Sequence, residues 1–288
     1  MYNNLNIIII YKYMILDRLK DIPEDEYVTC QRIVDFCRTS KIPYIKPDPI
    51  KYRNHIPNQS RFHVTNAGWN GFYEIVNLDK IPVLVTGYSD HPIGKSEIDI
   101  LEQPNLKAWF ANNIDIKHPK LIAVPLGLPN QVDFEIQGNT KVIYEIAQTP
   151  KVIKNLAYMN FKIETFPAER RRVHDMFIGK PWVTNGRIAC DVEGHREYLK
   201  EIRSHKFCIC PRGNGFDSHR MLEALYLGTI PIVKKCIAME QFEMLPCVFV
   251  DDWDEITPDF LHKKYIEIVN CEFNLEKLYM SYWKKKIA

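Results

Sequence analysis

This 288-residue sequence predicts an α/β protein in two domains, and three observations carry that prediction. The first is Lys206–Val233, KFCICPRGNGFDSHRMLEALYLGTIPIV. In it, Phe207–Cys210 is a short apolar run with no helical period, stopped by Pro211 and Gly213. Met221, Leu222, Ala224, Leu225 and Leu227 then recur over about three helical turns, with Asp217 or Ser218 placed as N-cap and Gly228 as the C′ residue. Thr229–Val233 is β-rich again, and strand, helix and strand in succession imply parallel strands joined by a right-handed crossover. The second observation is Ile81–Gly87, IPVLVTG, whose unbroken apolar character marks a parallel-sheet strand buried on both faces. The third is size: the chain exceeds one typical domain, and a composition of 46% hydrophobic and 26% charged residues can build a sizeable core. Thr149–Lys151 reads as the linker, which divides the chain into residues 1–150 and 151–288.

The remaining elements follow in order. A helix is expected from Glu24 to Thr39, whose apolar positions share one side, then a short strand at Tyr44–Ile45 and a proline-rich loop from Pro47 to Pro57. Phe62–Thr65 reads as a strand ending at Asn66-Ala67-Gly68, and Trp69–Ile75 is ambiguous. Short strands are expected at Leu106–Phe110 and Leu121–Pro125, with Asn112, Asn113 and His118 in the loop between them, and a helix around Val142–Ala147. In the second half Ile153–Tyr158 reads as a strand, followed by Asn160 and Phe161. A helix then starts with Pro167 at N1 and carries Arg170, Arg171 and Arg172 in its first turns. Trp182–Thr184 and Cys247–Val250 are strands, His195–Ile202 an amphipathic helix, and Asp259–Asn270 and Leu275–Lys285 the last helices, the final one expected to pack back on the first domain.

Composition excludes several classes. A net charge of +2 gives no basis for nonspecific nucleic-acid binding, and the basic tracts are no longer than Arg170–Arg172 and Lys284–Lys286. The eight cysteines include no C-x-x-C pair, which argues against a zinc site and for small buried hydrophobes in a reducing compartment. The apolar stretch Leu5–Leu16 contains Asn6 and Lys12 and falls short of the roughly 20 residues a bilayer needs, so a cytoplasmic protein without membrane span is expected. Met14 is an alternative start to Met1, and the sequon Asn58-Gln59-Ser60 matters only on secretion.

Chemistry concentrates at two strand ends. Beyond Cys210, the turn Gly213-Asn214-Gly215 lets backbone N–H groups approach a ligand, and the helix behind it presents a positive N-terminus that favours an anion. Arg212 and Arg220 add full charges there. Glu223 shares a face with Arg220 and is placed to accept ribose hydroxyls, although an intrahelical ion pair with Arg220 is the plainer reading. Beyond Gly87, Asp90 and His91 sit where open sheets present ligands, a place equally suited to a turn. Asp252 and Asp254 invite a metal reading, as Asp-x-Asp pairs hold divalent cations elsewhere.

The string CPRGNGFDSHRMLEALYLGTIPIV resembles the C-P-R-G-x-G-x-D-S-x-R-x-x-E-A-L-x-x-G-x-I-P-V signature of the exostosin-like glycosyltransferases, family GT47. The resemblance implies two Rossmann-like domains facing a cleft, the GT-B type, with donor in the second domain and acceptor in the first. It implies an inverting glycosyltransferase that moves a hexose or pentose from a UDP-sugar to a glycan or glycoprotein hydroxyl by direct displacement, with no metal and no cofactor beyond the UDP-sugar. The donor-site residues so implied are Asn160, Arg170, Arg212, Gly213, Asn214, Gly215, Asp217, Ser218, Arg220 and Glu223, with Arg170 on the diphosphate. Asp90 is the expected base, with His91 and then His63 behind it. The family places a tryptophan after the strand where Trp253 stands, which sets Asp252 and Asp254 aside as metal ligands. An anchorless chain is similar to the soluble members found in large DNA viruses of algae, which makes UDP-xylose an expected donor. The alternatives are a noncatalytic nucleotide-sugar or glycan-binding module, and a phosphate-binding regulatory or nucleic-acid protein.

Overall fold

The computed structural model describes residues 16, 18–45, 61–65, 73–77, 81–129 and 137–288. The expected loop Pro47–Pro57, the turn at 66–68, the sequon and both candidate start methionines lie outside the described residues. The secondary structure is mixed α/β, with two parallel sheets and a separate hairpin.

The first sheet is built from β1 (Tyr44–Ile45), β4 (Val83–Thr86), β5 (Ala108–Ala111) and β6 (Leu121–Ala123), adjacent in that order and all parallel. Between β1 and β4 in sequence lie β2 (Arg61–Thr65) and β3 (Tyr73–Asn77), which pair antiparallel with each other. The continuous apolar run at Ile81–Gly87 is explained by its position: β4 has a strand on each side, and Leu84 and Val85 are fully buried.

The second sheet has the order β11-β10-β9-β7-β8, formed by β7 (Asn155–Met159), β8 (Val183–Asn185), β9 (His205–Ile209), β10 (Ile230–Lys234) and β11 (Val248–Val250), again all parallel. The chain goes from β7 outward to β8 and then returns to the other side of β7 for β9. The order therefore reverses between β7 and β9, and the loops that leave their carboxyl ends diverge to open a crevice, the place where open α/β sheets bind ligands. Asn160 follows β7 and the Cys210–Gly215 loop follows β9, so the signature stretch opens into this crevice.

The helices follow the sequence pattern with local exceptions. The helix Cys30–Thr39 (α1) is capped by Thr29, whose Oγ1 accepts from Arg32 N. The expected start at Glu24 is incorrect. Only Glu24–Glu26 forms a 3-10 turn, because Tyr27 and Thr29 instead make bridges to Tyr279 and Leu128. Thr140–Gln148 (α2) is capped by Asn139 Oδ1. Pro167–Phe177 (α3) starts with proline at N1 as expected, Val192–Arg203 (α4) is capped by Asp191, and His219–Tyr226 (α5) ends at Gly228, whose φ of +68° suits a glycine. Ser218 is the N-cap of α5 by position, but neither it nor Asp217 makes the expected capping bond. Pro258–Val269 (α6) is regular, whereas the expected helix Leu275–Lys285 breaks at extended Tyr279 into a 3-10 turn and Met280–Ile287 (α7).

The main hydrophobic core is shared by residues from both sheets. Tyr27 stacks on Tyr226 with ring centroids 4.0 Å apart, and the Tyr226 hydroxyl accepts from Val28 N and donates to Leu278 O, both at 2.8 Å. The α7 helix meets the first half of the chain where Ser281 N donates to Glu26 Oε2 at 2.7 Å. No helix among the described residues is long and apolar enough to cross a membrane.

Candidate functional site

A cavity of about 670 Å³ opens at the β7/β9 crevice. The stretch that follows β9 and begins α5 forms one wall, with Gly213, Asn214, Gly215, Asp217, Ser218, Arg220 and Glu223 all on its surface. Asn160 and Arg170 approach from the β7 side, and Asp90 from the end of β4. Ten of the residues singled out in the sequence thus meet around one space. Arg212 and His91 do not join them. His63 lies in β2, whose side chains fall outside the described residues.

The chemistry of the cavity starts with two arginines. Arg170 is buried, its Nε donating to Arg212 O at 2.7 Å and its Nη1 to Lys162 O at 2.8 Å. Burial, with Arg220 beside it, lowers the Arg170 guanidinium to about 10. Arg220 projects from the first turn of α5, and its Nε and Nη1 are shut off from solvent without a hydrogen-bond acceptor among the described residues. Both guanidiniums lie over the Phe161 ring, at 5.6 and 5.9 Å. Neither forms an ion pair among the described residues. Two clustered cations, one with orphaned donors, leave a deficit of negative charge that an anionic ligand would fill.

Glu223 is buried one turn further along α5. It does not pair with Arg220; its Oε2 instead accepts from the Tyr198 hydroxyl at 2.7 Å. Burial and the Glu223 carboxylate hold the Tyr198 phenol well above its usual range, so it stays protonated and donates. His195 stacks on Tyr198 with centroids 5.3 Å apart, and burial lowers its imidazole so that it is neutral. His195 and Tyr198 both line the cavity, one helical turn apart on α4, and reasoning from the sequence missed them. The available signal was two polar aromatic residues on the buried face that Leu199 and Ile202 define.

The glycine loop is held from both sides. Arg212 does not enter the cavity as expected. Its guanidinium lies between the Phe166 and Phe216 rings, at 4.5 and 4.2 Å, and donates to Gly213 O and Asn214 O of its own loop. Arg212 therefore shapes the turn. The missing side chain of Gly215 also serves packing, because a Cβ there would sit 2.5 Å from Asn113 Nδ2. The N–H groups of Gly213, Asn214 and Gly215 donate to no other group among the described residues, whereas those of Phe216 and Asp217 are taken by Asn113 Oδ1 at 2.7 and 3.2 Å.

Asp217 faces away from capping. Its Oδ2 accepts from Leu126 N at 2.7 Å, its Oδ1 is buried with no partner among the described residues, and burial raises the carboxyl to about 6. His219, also in the cavity wall, donates from Nδ1 to Gly127 O at 2.6 Å. Both tie the start of α5 to the stretch after β6.

Across the cavity Asp90 is exposed, with its Oδ2 3.4 Å from Asn214 Nδ2. Its neighbour His91 turns aside to Glu97, with Nε2 3.3 Å from Oε1. Glu97 also accepts from Gly94 N and Ser96 Oγ, and these bonds hold its carboxyl below the usual range although burial works the other way. His91 is thus committed to the turn after β4, the plainer of its two readings. Asp252 and Asp254 are outside the cavity, both taken by Arg172, which reaches Asp252 with two nitrogens at 3.0 and 2.7 Å and Asp254 with one at 2.5 Å.

Residues 157–257 match the family model for the Exostosin GT47 domain. That span runs from within β7 to the residue before α6. It contains every cavity residue named above except Asp90 and the stretch after β6. No curated protein matches the chain. Among solved structures, a crystal structure of an alpha1,3-fucosyltransferase is similar at 12% identity, over 81% of this chain and 82% of that one, with a TM-score of 0.41. The family match makes residues 157–257 a glycosyltransferase-like stretch similar to the exostosin GT47 domain, and it supplies most of the cavity lining.

Proposed function

We propose that this chain transfers a sugar from a UDP-sugar to a glycan hydroxyl, with inversion and without a metal ion. The observation that carries the reading is the pair Arg170 and Arg220, clustered in the crevice of a glycosyltransferase-like domain with no ion pair to either among the described residues, one turn from a buried carboxylate. In this reading the second half of the chain, residues 151–288, holds the donor and the first half, residues 1–150, presents the acceptor. Glu223 keeps Oε1 for ribose hydroxyls while Tyr198 occupies Oε2. Arg220, Arg170 and the N–H groups of Gly213, Asn214 and Gly215 take the diphosphate, with Asn160 and Ser218 lining the same space. The work a divalent cation does elsewhere falls to these groups, and engagement of Asp252 and Asp254 by Arg172 supports leaving the Asp pair out of the site.

Asp90 acts as base. As the acceptor oxygen attacks the anomeric carbon, its proton passes to the Asp90 carboxylate. The bond from that carbon to the diphosphate oxygen breaks with its electron pair going to the departing UDP, and attack from the opposite face inverts the centre. Arg220 and Arg170 favour that departure because negative charge grows beside them. UDP-xylose is the first donor to try. The test is release of UDP from UDP-sugars, with and without glycan acceptors. Asp90→Asn should retain UDP affinity and lose about 10²- to 10⁴-fold in turnover, the usual contribution of a positioned base. Tight UDP-sugar binding with neither transfer nor slow hydrolysis would make the protein a binding module instead.

A further inference from the structure

Asn113 lies just beyond the carboxyl end of β5, buried, with a left-handed φ of +54°. Asparagine tolerates that conformation better than most residues. Its carboxamide is hydrogen-bonded at both ends. Oδ1 accepts from two consecutive loop amides, Phe216 N and Asp217 N, and Nδ2 donates to Ser89 O at 2.7 Å. Two N–H donors on one end and a carbonyl acceptor on the other leave only this orientation of the amide. Ser89 immediately precedes Asp90, and Phe216 immediately follows the Gly213–Gly215 turn. Asn112 Nδ2 donates to the same Ser89 carbonyl at 3.0 Å. Gly215 packs so closely against Asn113 that no side chain fits between them.

From this arrangement we infer that Asn113 is a positioning residue that fixes the distance between the Asp90 loop and the donor loop. The inference rests on the donor and base assignments above. Asp90 and the glycine loop belong to different sheets, and the recorded side-chain contact between them is long, at 3.4 Å from Asn214. One carboxamide bonded to both loops carries their registration. Its effect belongs in the chemical step, because small misplacement of reacting groups costs turnover even where binding survives.

The experiment compares Asn113→Asp and Asn113→Ala with the wild-type chain, measuring UDP affinity by calorimetry and transfer at saturating UDP-sugar. Asn113→Asp keeps an acceptor for Phe216 N and Asp217 N but loses the donor to Ser89 O, so it separates the two arms while preserving the loop. Both variants should bind UDP within about threefold of wild type and turn over about 10- to 100-fold more slowly. Asp90→Asn should cost much less in the Asn113→Ala background than in wild type, since groups that act as a unit are non-additive. Wild-type turnover in Asn113→Asp would overturn the proposal, as would equal losses of affinity and turnover, or full additivity with Asp90→Asn. Absence of UDP binding in the wild-type titration would count against the donor reading itself, before any variant is compared.

Discussion

Replacing Arg220 with methionine should make the unliganded protein more stable and the liganded one less so. Nε and Nη1 of Arg220 are buried without acceptors among the described residues, and a buried unsatisfied donor costs about 1–3 kcal/mol. Methionine of similar length removes that cost and relieves Arg170, whose guanidinium Arg220 helps to depress. Against this stands the lost contact with the Phe161 ring at 5.9 Å, which is worth about 0.5–1 kcal/mol. The net gain is up to about 2.5 kcal/mol, or a rise of up to roughly 10 °C in Tm at about 2–4 °C per kcal/mol. UDP should lose charge-assisted hydrogen bonds worth about 1.5–3 kcal/mol each, so affinity should fall about 100-fold or more if both orphaned donors turn to the ligand. Thermal unfolding with and without UDP reads both effects together. A lower Tm with unchanged UDP affinity would refute the reasoning, since it would mean that Arg220 already serves the fold.

Two further predictions concern charge. Transfer should survive EDTA, and activity lost on chelation and restored by Mn²⁺ or Mg²⁺ would overturn the assignment of diphosphate stabilisation to arginines and loop amides. Asp217 gives a pH signature: burial raises its carboxyl from the ordinary aspartate range to about 6, so the folded state holds the proton more tightly than the unfolded chain. Stability is therefore favoured at about pH 4 and lost as pH rises through about 6, by up to roughly 3 kcal/mol at neutrality. Asp217→Asn should gain on the wild type over that interval in denaturant titrations, and a stability difference that stays constant from pH 4.5 to 7.5 would contradict it.

The parallel sheets and the gathering of the signature residues were legible because both are written locally. Ile81–Gly87 and Phe207–Cys210 are apolar on consecutive positions, as strands covered on both faces must be, and the Gly213–Glu223 stretch supplies its turn, helix start and carboxylate within one supersecondary unit. Misreadings arose where a distant partner decides. Apolar spacing at Glu24–Val28 suits a helix, but Tyr27 and Val28 are drawn out to meet Tyr279 and Tyr226. Arg212 reads as a free cation beside a glycine turn, yet Phe166 and Phe216 capture it over its own carbonyls. Asn113 and His219 were invisible as site residues because their bonds join stretches about a hundred positions apart, and the sequence does not say which loops of two sheets will face each other. Arg172 explains the acidic pair Asp252 and Asp254 in the same long-range way.

The central claim is that the crevice binds a nucleoside diphosphate through the ribose at Glu223, and calorimetric titration of UDP into the wild-type chain and Glu223→Ala tests it most directly. Wild type should bind UDP in EDTA, and Glu223→Ala, still folded, should bind it about 1.5–3 kcal/mol more weakly, the worth of hydrogen bonds to a charged group. Equal UDP affinity in the two proteins, or no binding to either, would contradict the account.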